Sequence, residues 1–189
     1  MALKQTASQT IGPFFRYCLT PESYGHAGIA GASLQAPGLK GEKIRIAGRI
    51  FDGAAAPVTD AVVEIWQADA EGVYPETAEP GKFAGFGRTG TDASGQFQFD
   101  TIKPGTVPGR GNAWQAPHIG VIVAARGMLG HIFTRLYFAD EEVANAQDQV
   151  LASVPADRRR TLIATRGADG VYRFDIYLQG DDETVFFDV

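Results

Sequence analysis

Residues Pro104–Gly127 read PGTVPGRGNAWQAPHIGVIVAARG, and the fold is decided here. A Gly/Pro-rich loop runs into an unbroken apolar segment, Ile119-Gly120-Val121-Ile122-Val123-Ala124-Ala125, which opens at His118. The segment is short, bounded by turn residues and rich in β-branched side chains. That pattern predicts a core strand buried on both faces rather than a helix. A polar side chain at the mouth of such a strand, beside a loop, is where a site would be built.

Working outward, the same punctuation recurs. Ile44, Ile46, Gly48 and Ile50 alternate with Arg45, Ala47, Arg49 and Phe51 before the turn at Asp52-Gly53, a period of two. Further strands are predicted at Ala61–Ala68, around Phe97 and Phe99, at Ile132–Phe138, Thr161–Thr165 and Tyr172–Gln179, with one more at Thr184–Val189. Asp140 is placed to cap a short helix reaching Asp148. Residues 1–42 lack a sustained period and read as an extended arm followed by a loop. Seven or eight short strands with minimal helix predict an all-β sandwich, mostly antiparallel, as a single domain spanning 1–189 with the sandwich at 43–189.

Composition removes several function classes. The chain has 189 residues, 44% hydrophobic, with a net charge of −5. It is long enough for one real core, and it has no basic cluster of the kind that binds nucleic acid. Arg158-Arg159-Arg160 reads as a solvated loop or helix end. The single cysteine, Cys18, has no internal partner, which fits a reducing compartment. No signal-like or membrane-length apolar run occurs, so a cytoplasmic protein is expected. Gly85-Phe86-Gly87-Arg88-Thr89-Gly90 fits GxGxxG, but a turn and a strand follow where a dinucleotide site needs a helix. It reads as a glycine-rich loop between strands.

Metal chemistry is tested at His118. On a strand its same-face neighbour is residue 120, which is glycine, so the pair reads His-x-Gly. From the residues alone His118 reads as a hydrogen-bonded strand-end histidine, with a metal ligand as the alternative; His26 and His131 have no spacing partner, and no nucleophile motif is present. Arg135, mid-strand, is expected to pair with a cross-strand acid.

Four long segments, AGRIFDGAAAPVTDAVVEIWQADAEGVY (47–74), GFGRTGTDASGQFQFDTIKPG (85–105), APHIG (116–120) and YRFDIYLQGDDETVFFDV (172–189), resemble the intradiol ring-cleavage dioxygenases over nearly the whole chain. More narrowly they resemble the alpha chain of the family's two-chain members. The family's active site implies Fe(III) held by two tyrosinates and two histidines, hard oxygen donors suiting a hard ion. Position by position, the resemblance implies that Tyr74 and His118 are retained ligand positions. Val107 stands where the second tyrosine belongs, and Gly120 where the second histidine belongs. The arginine expected just before the histidines is missing, with Gln115 and Ala116 nearby. Two ligands do not hold ferric iron, so the expectation is no metal on this chain, with Tyr74 and His118 as relics.

The same resemblance implies a beta-chain partner that carries the Fe(III), arranged in a higher oligomer of paired chains. It implies a shared pocket in which protocatechuate and O2 meet. This chain would line that pocket with its arm, through Thr10, Gly12, Pro13 and Phe14, and with Arg126, whose guanidinium suits a substrate carboxylate. Phe14 replaces a tyrosine frequent in the family. Two alternatives compete: an independently active intradiol enzyme, and a transthyretin-like β-sandwich module without enzymatic role.

Overall fold

A computed structural model describes residues 9–12, 15–76 and 82–188. The alternating run forms β1 (Lys43–Phe51), with Ile44, Ile46 and Ile50 turned into the core. It is followed by β2 (Val62–Trp66), β3 (Phe86–Gly90) and β4 (Gln96–Ile102). Next come a small hairpin of β5 (Val107–Pro108) and β6 (Trp114–Gln115), then β7 (His118–Ala124) and β8 (Ile132–Phe138). The last strands are β9 (Ile163–Arg166), β10 (Val171–Arg173) and β11 (Ile176–Tyr177). Short helices are α1 (Phe15–Leu19), α2 (Glu142–Gln147) and α3 (Gln149–Ser153). No described helix is long and apolar enough to cross a membrane.

One curled sheet carries the order β11-β1-β10-β9-β8-β7-β2-β3, with β4 on the other side of β1. Its concave side closes on a cluster containing Ile46, Phe99, Ile119, Val121, Val123, Leu136 and Phe138. The expected all-β class holds, but the sheet is mixed: β1 pairs in parallel with β10 and β11, and β8 with β9. Parallel partners are distant in sequence, so strand periodicity carries no sign of them.

Several local expectations are corrected. The glycine-rich GxGxxG segment is itself a strand, β3, paired antiparallel to β2. The arm is not wholly extended, because α1 folds at Phe15–Leu19. Asp140 does not cap α2, whose N-cap is Glu141. Its carboxylate instead accepts from Lys103 Nζ and the Tyr172 hydroxyl, each at 2.8 Å. The predicted Tyr172–Gln179 strand breaks between Arg173 and Ile176. There Gly48 is so close that a Cβ would lie 1.7 Å from the Phe174 carbonyl oxygen, and Asp175 Oδ1 accepts the Arg49 amide at 2.8 Å. A side chain thus replaces a backbone rung. Thr184–Asp188 forms only an isolated bridge, Phe133 to Phe187.

β7 is not buried equally on both faces. Ile119, Val121 and Val123 are sealed in the core, whereas Gly120, Ile122 and Ala124 are half-buried on the convex face. That convex face positions everything that follows.

Candidate functional site

Register assigns the side chains of the convex face. Trp66, Gly120 and Arg135 lie directly across from one another on β2, β7 and β8, and His118 pairs with Tyr137 one step away. Directly paired residues share a face. His118, Gly120, Arg135, Tyr137 and Trp66 therefore line one surface at the N-terminal end of β7.

Tyr74 joins them from the loop after β2. Asp69 Oδ1 accepts the amides of Glu71 and Val73, each at 2.9 Å, and closes that turn. Gly72 has φ +79° and lies so near Thr106 that a Cβ would be 1.9 Å from its carbonyl oxygen. Only glycine fits there, and the contact ties the Tyr74 loop to the segment entering β5. The Tyr74 ring stacks on Trp66 with centroids 5.8 Å apart. Burial pushes its phenol above the ordinary tyrosine value, and the Arg135 charge pulls the other way.

His118 is buried, with Nδ1 2.7 Å from the Ala116 carbonyl oxygen. A carbonyl only accepts, so Nδ1 carries the proton and the neutral ring keeps its lone pair on Nε2. Burial lowers the imidazole pKa, and Arg135 lowers it further, against the pull of the Ala116 carbonyl and of Asp148. Below them sits Asp148, fully buried and N-cap to α3. It accepts from the Ala116 amide at 2.8 Å, the Leu151 amide at 2.8 Å and the Tyr137 hydroxyl at 3.2 Å. Burial, then the neighbouring Asp148 charge, pushes the Tyr137 phenol up to about 12. Sequence reasoning missed Asp148 as more than a helix end; its only signal was a helix-capping residue type.

The two positions at which the resemblance implies a lost ligand differ in kind. Val107 is a buried aliphatic in β5 and offers no donor atom. Gly120 is spacious, since a Cβ there would meet only the Trp66 carbonyl oxygen, at 3.4 Å. Among the described residues Arg135 has no cross-strand acid, contrary to expectation: its partner in register is Gly120, and its Nη1 donates to Gln115 Oε1 at 2.7 Å and to the Tyr137 hydroxyl at 3.4 Å. A site with one phenol, one imidazole, an aliphatic, a glycine and a guanidinium does not fit ferric iron.

The arm lies at the opposite end of β7. Ile11 donates its amide to Met128 O at 2.8 Å and accepts from the Gly127 amide at 3.1 Å, so Thr10–Gly12 run beside the turn carrying Arg126. Arg16 clamps α1 by donating to the Thr59 and Thr91 carbonyls at 2.8 and 2.9 Å. Ile11, Phe15 and Leu19 roof a cavity of about 430 Å³ above Val62, Ile122 and Ala124. Thr10 and Gly12 are exposed; Pro13 and Phe14 lie outside the described residues. Arg126 is exposed, its Nε 3.0 Å from Asp60 Oδ2, a pairing sequence reasoning did not find. The arm and Arg126 thus stand together, but His118 is roughly 20 Å away along the strand.

The curled β-sheet is a fold shared with dioxygenases of known structure, and this chain belongs to that family: the Dioxygenase family model matches residues 30–180. The chain is 48% identical to the protocatechuate 3,4-dioxygenase alpha chain of Burkholderia cepacia, covering 99% of this chain and 98% of that one. It is 34% identical to the beta chain of protocatechuate 3,4-dioxygenase from the same organism, over 76% of this chain and 67% of that one. Among solved structures, the dioxygenase domain of a carbohydrate-binding fusion from Streptomyces sp. SirexAA-E aligns with a TM-score of 0.60 at 27% identity, covering 85% and 94%.

Proposed function

We propose that this chain is the non-iron alpha subunit of protocatechuate 3,4-dioxygenase, with residues 1–189 acting as one unit. Its partner is a beta chain that carries the Fe(III), in a higher oligomer of αβ pairs. The observation that carries this reading is the division of the convex face. At one end, Val107 and Gly120 stand at the positions where the resemblance implies the second tyrosine and the second histidine. The other end presents a pinned arm beside a cationic side chain. A chain with its own metal centre gone and a presented arm is built to complete a site elsewhere. Near full-length similarity to an alpha chain, and weaker similarity to a beta chain, support the pairing.

The reaction cleaves protocatechuate between its hydroxyls and places both atoms of O2 in 3-carboxy-cis,cis-muconate. Iron on the beta chain supplies Lewis-acid activation of the catechol. This chain's residues bind and orient. Arg126 offers a guanidinium to the ring carboxylate, with Asp60 holding its Nε side. Thr10, Gly12, Pro13 and Phe14 form a wall, glycine allowing close approach of the backbone. The substrate carboxylate is the feature that this chain reads.

The test is iron content and ring-cleavage activity of the chain purified alone, then coexpressed with an iron-bearing beta chain. A colourless, inactive single chain and an iron-loaded, active pair are expected. Stoichiometric ferric iron and catechol cleavage by the single chain would sink the reading.

A further inference from the structure

A positive side chain lies on the same face as His118. Arg135 stands opposite Gly120 in register, on the face that also carries His118 and Trp66. It is half-buried, yet among the described residues its hydrogen-bond partners are neutral: Gln115 Oε1 and the Tyr137 hydroxyl. A half-buried cation without a carboxylate in contact is costly unless its surroundings supply negative potential. They do so through the Tyr137 hydroxyl, bonded onward to the buried Asp148 carboxylate. Arg135 also reaches the Tyr137 hydroxyl, and the Tyr137 ring lies beside His118 with centroids 5.7 Å apart, which puts the guanidinium close to the histidine position.

Space does not explain the loss at residue 120, since a Cβ there has only one contact within 4 Å, at 3.4 Å. His118 also keeps the tautomer that leaves Nε2 free to ligate, fixed by Ala116 O. Missing donors are therefore only part of the reason that a metal does not fit.

We propose that Arg135 is an internal cation standing in for the metal: its guanidinium holds the relic site together and excludes a metal ion by charge, so that restoring a ligand at residue 120 is not sufficient to restore binding. This concerns the chain by itself and stands or falls independently of the partner assignment.

The test uses the full chain alone and Co(II), followed by its visible absorption, with Zn(II) competition. Gly120→His offers a donor trio with Tyr74 and His118. With Arg135 in place it binds Co(II) no better than the unmodified chain. Gly120→His/Arg135→Gln binds at least about 100-fold more tightly, as expected when a like charge a few ångströms away is removed at an effective dielectric near 20. Adding Tyr74→Phe weakens that binding again. Gly120→His/Arg135→Lys keeps the charge and stays closed, whereas Gly120→His/Arg135→Met keeps the apolar stem and opens. The methionine variant also serves if the glutamine variant does not fold. Tight Co(II) binding by Gly120→His with Arg135 present overturns the proposal. So does the absence of binding in every folded, charge-free variant, because the site would then be closed by something else.

Discussion

Asp148→Ala is the most informative perturbation of the scaffold beneath the site. The Asp148 carboxylate is fully buried and accepts from two backbone amides, Ala116 and Leu151, each at 2.8 Å, and from the Tyr137 hydroxyl at 3.2 Å. Alanine leaves two amides and a phenol without their acceptor and strips α3 of its cap. A hydrogen bond to a charged acceptor contributes about 1.5–3 kcal/mol, and a lost cap alone costs about 1 kcal/mol. The carboxylate's own desolvation, relieved in the variant, offsets part of that sum. A net loss of about 3–5 kcal/mol follows, the range for removing one partner of a buried charged network. In a chain of this size that lowers Tm by roughly 6–20 °C. Urea titration followed by tryptophan fluorescence, together with thermal melts, measures it. Asp148→Asn retains one oxygen and falls between. A loss under about 1 kcal/mol for the alanine variant would refute the reasoning, for it would mean that the amides find other acceptors and that Asp148 does not organise the β6–β7 corner.

Two further predictions follow. Arg126→Ala, measured in the assembled αβ enzyme, raises KM for protocatechuate about tenfold, the scale of one charge-assisted hydrogen bond at a solvent-exposed rim, and raises KM for catechol far less; equal effects would remove the carboxylate role. His118→Gln flattens the acid side of the stability profile. The folded imidazole pKa is depressed, first by burial and then by Arg135, so the unfolded chain binds more protons below about 6.5. Stability therefore falls as pH drops through that value toward the folded pKa, and the glutamine variant loses this dependence; parallel urea midpoints for the two proteins between pH 7.5 and 5.5 would contradict it.

Much of the sheet was legible because alternation is a local property. β8 runs from Ile132 to Phe138 as its sequence pattern implies, and β1 begins one residue early. The misses share a nonlocal cause. α1 is five residues long, too short for its own sequence to hold it, and is held by Arg16 reaching carbonyls at Thr59 and Thr91. The break after Arg173 depends on Gly48, which the chain reaches only by folding β10 onto β1. Arg135 was assigned an acidic partner, but an acid opposite an arginine is found instead at Glu64 and Arg88. Which residue faces which is register, and register between β7 and β8 is not written in either strand alone. Likewise nothing in the arm announces that Ile11 bonds to Gly127 and Met128.

Retained and replaced ligand positions also separate by what else they do. Tyr74 is stacked on Trp66, and its loop is fixed by Asp69 and by the close approach of Gly72 to Thr106. His118 packs against Tyr137 and ties its ring to the Ala116 carbonyl, two residues back, at the corner that Asp148 also grips. The Tyr74 ring has packing work, and His118 both packs and hydrogen-bonds, independently of any ion. Residue 107 is itself buried, in β5 of the hairpin, where an aliphatic needs no hydrogen-bond partner. Residue 120 faces outward with room to spare, so a glycine there leaves no core cavity. Once metal ligation no longer constrains such a site, the positions free to drift are those whose only task was ligation, and the remaining ones are kept by the fold. Under the proposal above, Arg135 brings its charge to the same corner, bonded to the Tyr137 hydroxyl that in turn donates to Asp148. By this argument Tyr74 and His118 alone are poor evidence of a working metal centre; the identities of residues 107, 120 and 135 decide the question.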